Sequence, residues 1–342
     1  MAERLVSFAA PKAAALLAFC LLAAPARAQP TLLVLQKAGS SLGFYSPDGK
    51  PQATVPVGRH PHEMVLSADG RYLYTTDNGT MRIEQAGTGG NTVSVIDLAA
   101  RKKVGEINLG EFRRPHGIDL IRSTGMLLVS TELPDRLLLI DPARRAIVRT
   151  FETQGKTAHM VTASADGKRA FVSNSSSSSV AAIELATGAV KLIAQKNRPE
   201  DSVLSRDGRR LYVANRDSNI VSIVDTEKLV AIGEIPTGRG PVRIEITPDG
   251  RYLVCALIQD PAVQWFDLTT RREAGRVAVK PPKEGLVSLN LSLDGGLAYA
   301  SAQESDLVYV VSLAEKKVVR ELKLPAGAGP DPVLEWRRAA DR

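Results

Sequence analysis

The chain has 342 residues, a formal net charge of +7 and 24% charged residues, so it is neither a low-hydrophobicity disordered chain nor an acidic tail protein. Two cysteines exclude a disulfide framework or a cysteine metal cluster, and 14 Phe and Tyr with two Trp leave little for base stacking.

The first 28 residues read as a secretory signal: basic Arg4 and Lys12, the apolar run AAALLAFCLLAA, then APARA before Gln29. Cleavage is expected near Ala28, giving a periplasmic or secreted protein with no membrane span. Losing Arg4, Lys12 and Arg27 against Glu3 lowers the formal charge from +7 to +5. Cys255 then remains alone in the apolar stretch YLVCALI and reads as a small buried residue.

From residue 29 on, one unit recurs. Asp-Gly turns fall at Asp69, Asp166, Asp207, Asp249 and Asp294, with Thr124-Gly125 filling the gap. Each is followed by a short apolar strand (LYTTD, LVSTE, AFVSN, LYVAN, LVCAL, AYASA). An alternating strand comes next, ending at Asp97, Asp141, Glu184, Asp225, Asp267 or Ser312. A more polar strand and a Gly/Pro turn then lead into the strand before the next Asp-Gly. Four short strands in each of these repeats predict a β-propeller, all-β and four strands to a blade. LLVLQ, LGFYS and KPQATVPV supply three strands at one end, and GPDPVLEW supplies a first strand at the other. Both termini therefore build the last of seven blades, and residues 29–342 form a single domain. The segment 78–91 is the one long insertion and is expected on the channel face as a cover.

SRDGRRLYVANRDSNIVSIVDT and TPDGRYLVCAL resemble the YVTN-repeat family of seven-bladed β-propellers. The resemblance implies an exported propeller. Related propellers include lactone hydrolases and the haem domain of certain nitrite reductases, and some YVTN-like proteins are reported to bind nucleic acid. This chain has no haem-attachment Cys pair.

Superposing the repeats yields a column at the mouth of the central channel: His62, His116, His159, Glu200, Val242, Val287, Asp331. Three of the four histidines fall in it, in consecutive blades, so one side of the mouth is ionisable and the other apolar. A second column reads Asp77, Glu132, Asn174, Asn215, Leu257, Ala302, Gln36, and is expected to partner the first blade by blade. A third holds Arg59, Arg113, Lys156 and Arg239 and, with Arg114, Arg198 and Arg243 nearby, is expected to ring the opening with positive charge. His60 reads as incidental.

Three readings of the arc stand side by side. His62, His116, His159 and Glu200 are metal-ligand types, suited to a divalent transition metal bound by the histidines. The same residues with Arg59, Arg113, Lys156 and Arg239 suit a small polar or anionic molecule. Alternatively they are polar turn residues. Catalysis is left open: a lactonase-like or metal-dependent enzyme is one alternative, and no Gly-x-Ser-x-Gly motif is present. A scaffold for protein or nucleic acid is the other, nucleic acid being disfavoured by the scarcity of aromatics.

Overall fold

In the computed structural model, which describes Met1 and residues 29–338, seven four-stranded antiparallel sheets follow one another around a ring. The expected signal segment and its expected cleavage point fall on residues outside those described. Blades 1 to 6 span 61–108, 113–152, 158–194, 199–236, 241–278 and 288–323. Blade 7 joins the ends: strand Pro330–Trp336 pairs antiparallel with Thr31–Gln36, followed outward by Ser41–Tyr45 and Pro51–Pro56. Among the described residues the only helical segments are three single 3-10 turns, and no helix is long and apolar enough to cross a membrane.

The punctuation read from the sequence has a physical basis. In the turns beginning at Ser67, Ser164, Ser205, Thr247 and Ser292, the hydroxyl donates to the Asp two residues on, and that Asp accepts the backbone N–H two residues further. The next residue must be left-handed, so Gly70, Gly167, Gly208, Gly250 and Gly295 have φ of 68–76°. Asp97, Asp141, Asp225 and Asp267 cap other turns by accepting backbone N–H groups.

Packing is between blades rather than within them. The inner three strands of a blade are sandwiched by neighbours, so strands such as Leu297–Ala302 are buried on both faces. The outermost strands alternate, as in Lys102–Asn108, where one face meets water. Seven apolar clusters result, each shared by two adjacent blades. Trp265 packs with Leu289, Ala300 and Tyr309 between blades 5 and 6. Trp336 packs with Phe44, Leu73 and Ile96 between blades 7 and 1. Cys255 is fully buried and its thiol is pushed up by burial, which keeps it unreactive.

Ring closure rests on that last strand. Trp336 is 4% exposed and its indole N–H donates to the Gly70 carbonyl at 2.8 Å, tying blade 7 to the first turn of blade 1. Trp336→Ala is expected to cost about 3–5 kcal/mol in urea unfolding, and Trp336→Phe distinctly less. A loss below about 1 kcal/mol for the alanine variant would show that the seam does not hold the ring.

Candidate functional site

All seven residues of the first column, His62, His116, His159, Glu200, Val242, Val287 and Asp331, line one cavity of about 330 Å³ at the channel mouth. The backbone aims them there. The register slips between Pro61 and Met64, Pro115 and Ile118, Ala158 and Val161, Pro199 and Asp201, and Pro241 and Arg243. The column residue sits within each slip. A bulge re-aims a side chain that a regular strand would send to one face. Proline precedes the column residue at Pro61, Pro115, Pro199, Pro241 and Pro330, where no ladder N–H is needed. This repeated proline is the sequence signal for the bulge.

The three imidazoles lie against one another along the arc, the first pair edge-on and the second tilted. Ring centroids are 4.4 Å apart for His62 and His116, and 3.8 Å for His116 and His159. Gly117 permits this approach: a Cβ there would meet the His159 carbonyl at 2.6 Å and the Met160 Cα at 2.8 Å. His62 Nε2 lies 2.8 Å from the Thr80 carbonyl, His116 Nδ1 2.7 Å from Glu132 Oε1, and His159 Nδ1 2.7 Å from the Glu200 carbonyl. Burial lowers all three basicities, His62 and His116 well below the ordinary histidine value, and His159 to about 3 with His116 adding to the effect. Burial works against the Glu200 carboxylate, but the charged Arg216, Arg198 and Arg243 outweigh it and hold the group down to about 2. Glu200 is therefore ionised among neutral histidines.

Only part of the expected pairing forms. His116 does meet Glu132. Asp77 instead accepts from Gly58 N–H, Thr92 and Ser94, Asn174 donates to Ser179 of its own blade and to the Thr153 carbonyl in the link before it, and Asn215 bonds within its own blade. Those side chains turn toward the neighbouring strand of their own sheet, away from the axis. His62 takes its partner from the insertion, through Thr80.

The expected basic rim also sits elsewhere. Arg59, Lys156 and Arg239 are exposed, Arg113 is half-buried, and none of the four lines the cavity. Arg59, Lys156 and Arg239 precede their inner strands and Arg113 opens its own opposite Leu133, so all four lie ahead of the bulge, and Arg239 pairs its charge with Asp260. The cavity's cations are Lys37, Arg82, Arg198, Arg216 and Arg243. They are paired: Lys37 with Asp331 at 3.2 Å, Arg198 and Arg216 with Glu200 at 2.6 and 3.3 Å, and Arg243 with Glu63 at 2.6 Å. Arg243 and Glu63 reach each other from blades 5 and 1. Both are buried, and burial lifts Glu63 to about 7 against the opposing pull of Arg243. The sequence placed Arg198 and Arg243 near the opening, and both line the cavity; the pairing of Arg243 with Glu63 across the ring, and the presence of Lys37, Arg82 and Arg216, came only from the structure. His60 lies outside the cavity lining, its ring nitrogen near the Lys37 carbonyl.

The insertion covers the mouth. Met81, Arg82, Ile83 and Glu84 form part of the lining. The Arg114 guanidinium donates to the carbonyls of Arg82, Ile83 and Gln85. Arg82 crosses to Glu284 at 3.2 Å and to Glu304, while Glu84 meets Arg198 at 2.8 Å. At the root of the insertion, Asn78 donates to Glu132 and accepts from the Thr80 hydroxyl, linking the partners of His116 and His62.

These features define a seven-bladed β-propeller with a covered, ionisable cavity on its axis. Its sequence from 159 to 277 matches the family model described as lactonase, 7-bladed beta-propeller, about a third of the chain that includes His159, Glu200, Arg216 and Arg243. No curated protein matches. Among solved structures, a functionally unknown protein from Desulfotomaculum acetoxidans is similar at 15% identity and TM-score 0.74, covering 90% of this chain and 99% of that one. Dihydro-heme d1 dehydrogenase NirN in complex with DHE is similar at 17% identity and TM-score 0.65, covering 91% and 76%. Hydrazine synthase from Kuenenia stuttgartiensis is similar at 16% identity and TM-score 0.63, covering 74% and 76%. At these identities the likeness is one of fold.

The Arg82 latch is half-exposed, so its ion pairs hold the cover without stabilising the ring. Arg82→Ala is expected to speed cleavage after Glu84 by a glutamyl endopeptidase several-fold, with global stability changed by less than about 1 kcal/mol. Unchanged cleavage would mean that Arg114 alone fixes the cover.

Proposed function

We propose that the cavity binds a small polar molecule carrying an anionic or strongly accepting group beside a hydroxyl, of the hydroxy acid or lactone class. One observation carries this reading. Three lining side chains each hold a buried polar atom without a partner, Nε of Arg216, Nε of Arg243 and Oδ1 of Asp331; each is occluded as the side chains stand, so a ligand meets it as the side chain turns toward the cavity. Leaving such atoms unpaired costs about 1–3 kcal/mol each, more when charged. Two guanidinium donors ask for an acceptor, and a carboxylate oxygen asks for a donor, which a hydroxyl supplies. The apolar wall of Val242, Ile258 and Val287 suits the ligand's carbon skeleton.

The partial match to the lactonase model favours a second step at the same place: hydrolysis of a bound lactone. His159 and ionised Glu200 stand side by side in the lining, where they can orient the attacking water.

Calorimetric titration with a panel of sugar acids and their lactones tests the binding. Micromolar to low-millimolar affinity is expected for at least one member. Arg216→Gln, a partly exposed position, should weaken it about tenfold, which is about 1.4 kcal/mol. No heat with any member, or an affinity indifferent to Arg216→Gln and Asp331→Asn alike, would overturn the assignment. A His159→Asn variant that binds but no longer hydrolyses would support the second step.

A further inference from the structure

The hydrogen-bond pattern of the three histidines fixes where their protons are. A neutral imidazole has one N–H and one lone pair, and a nitrogen facing a carbonyl must be the N–H. The Thr80 carbonyl therefore places the proton of His62 on Nε2, and the Glu200 carbonyl places that of His159 on Nδ1. Glu132 does the same for His116 at Nδ1. The remaining nitrogens, His62 Nδ1, His116 Nε2 and His159 Nε2, carry lone pairs.

Those bare nitrogens face other electron-rich atoms. His62 Nδ1 is 3.3 Å from His116 Nε2, and His159 Nε2 is 3.4 Å from Glu200 Oε2. Each pair sets two potential ligand atoms side by side, and the four side chains are 97–98% buried. One cation can be held by both atoms of a pair. Bonds of about 2.0–2.1 Å in a tetrahedral shell set ligand atoms about 3.3–3.4 Å apart, the spacing seen in each pair. An outward N–H on a carbonyl or carboxylate is also the usual support of a metal-bound imidazole. Glu200 is held by Arg198 and Arg216 through Oε1, which leaves Oε2 toward His159.

We propose that His62, His116, His159 and Glu200 bind one divalent transition metal ion through three imidazole nitrogens and one carboxylate oxygen. As they stand, no three such side chains among the described residues already meet around one point. The His116 and His159 rings are tilted by 43°, and closing the shell requires their rotation about the side-chain bonds. The donor set, nitrogen-rich and free of sulfur, suits zinc, iron, nickel or copper over magnesium or calcium. Glu132, Asn78 and the Thr80 carbonyl act as positioning groups: Asn78 joins the acceptors of His116 and His62. The proposal uses the same cavity as the proposed function but does not depend on the identity of its organic ligand.

Tag-free protein, stripped with a chelator, is titrated with Co²⁺ and then Zn²⁺. One equivalent of cobalt with intense visible absorption, displaced by one equivalent of zinc, is expected. His116→Gln and His159→Gln should each lower affinity at least a hundredfold, and Glu132→Gln by about 10–100-fold. Circular dichroism checks that each variant keeps the parent fold. A fourth variant, His60→Gln, lies outside the set and should bind like the parent.

Absence of stoichiometric binding by the parent would overturn the proposal, as would equal binding by a folded His62/His116/His159 triple glutamine variant. Nitrogen-15 spectra showing an imidazolium between His62 and His116 in the stripped protein, with no change on adding metal, would assign the contact to a proton and also overturn it. Sugar-acid titration of the stripped protein separates the two ideas. Acid binding without metal binding removes only the metal site, and metal binding without any acid binding removes only the proposed ligand.

Discussion

Ring closure is the constraint on which the rest depends. The inner strand of blade 7 comes from residues 330–336, while its other three strands come from residues 31–56. With that ladder paired, no blade has an open inner edge, and seven apolar interfaces close in sequence. A closed ring of seven sheets brings seven equivalent backbone positions to one axis. The histidine arc and the apolar wall opposite it follow from what residues occupy those positions.

Convergence has an electrostatic cost, and the molecule offsets it locally. Glu63 and Arg243 reach across the axis from opposite blades and neutralise each other in a buried place. Lys37 meets Asp331, and Glu200 is shared by two arginines. Removing one member of such a pair strands a buried charge, so the network acts as a unit. The same pairing leaves the cavity with little excess charge. Recognition there depends on the direction of individual donors and acceptors more than on a steering field.

The insertion 78–91 serves two purposes that the ring alone could not. Its root, Asn78 to Thr80, is buried and supports the histidine arc. Its tip, Met81 to Glu84, lies over the cavity, pinned by Arg114 and latched by Arg82. Blade 1 is the only blade with such an extension, which places the cover next to His62 and breaks the pseudo-symmetry at the ionisable side. A structure with strict repeats would leave the mouth open.

The sequence by itself determined the blade count, the strand order and the shared last blade. These follow from local turn chemistry, Ser/Thr-x-Asp-Gly, and from alternation of apolar residues, both written in adjacent residues. It also determined that His62, His116, His159, Glu200, Val242, Val287 and Asp331 occupy equivalent positions, because repetition aligns the chain with itself. Tertiary structure alone decided what those residues touch. Asp77, Asn174 and Asn215 sit one strand away from the arc yet bond elsewhere, since their rotamers answer to the hairpin beside them. Arg59, Arg113, Lys156 and Arg239 fell outside the cavity because the bulge re-aims the column residue and not the turn before it. Arg243, 180 residues from Glu63, became the cavity's central cation through ring geometry, a distance that no local pattern encodes.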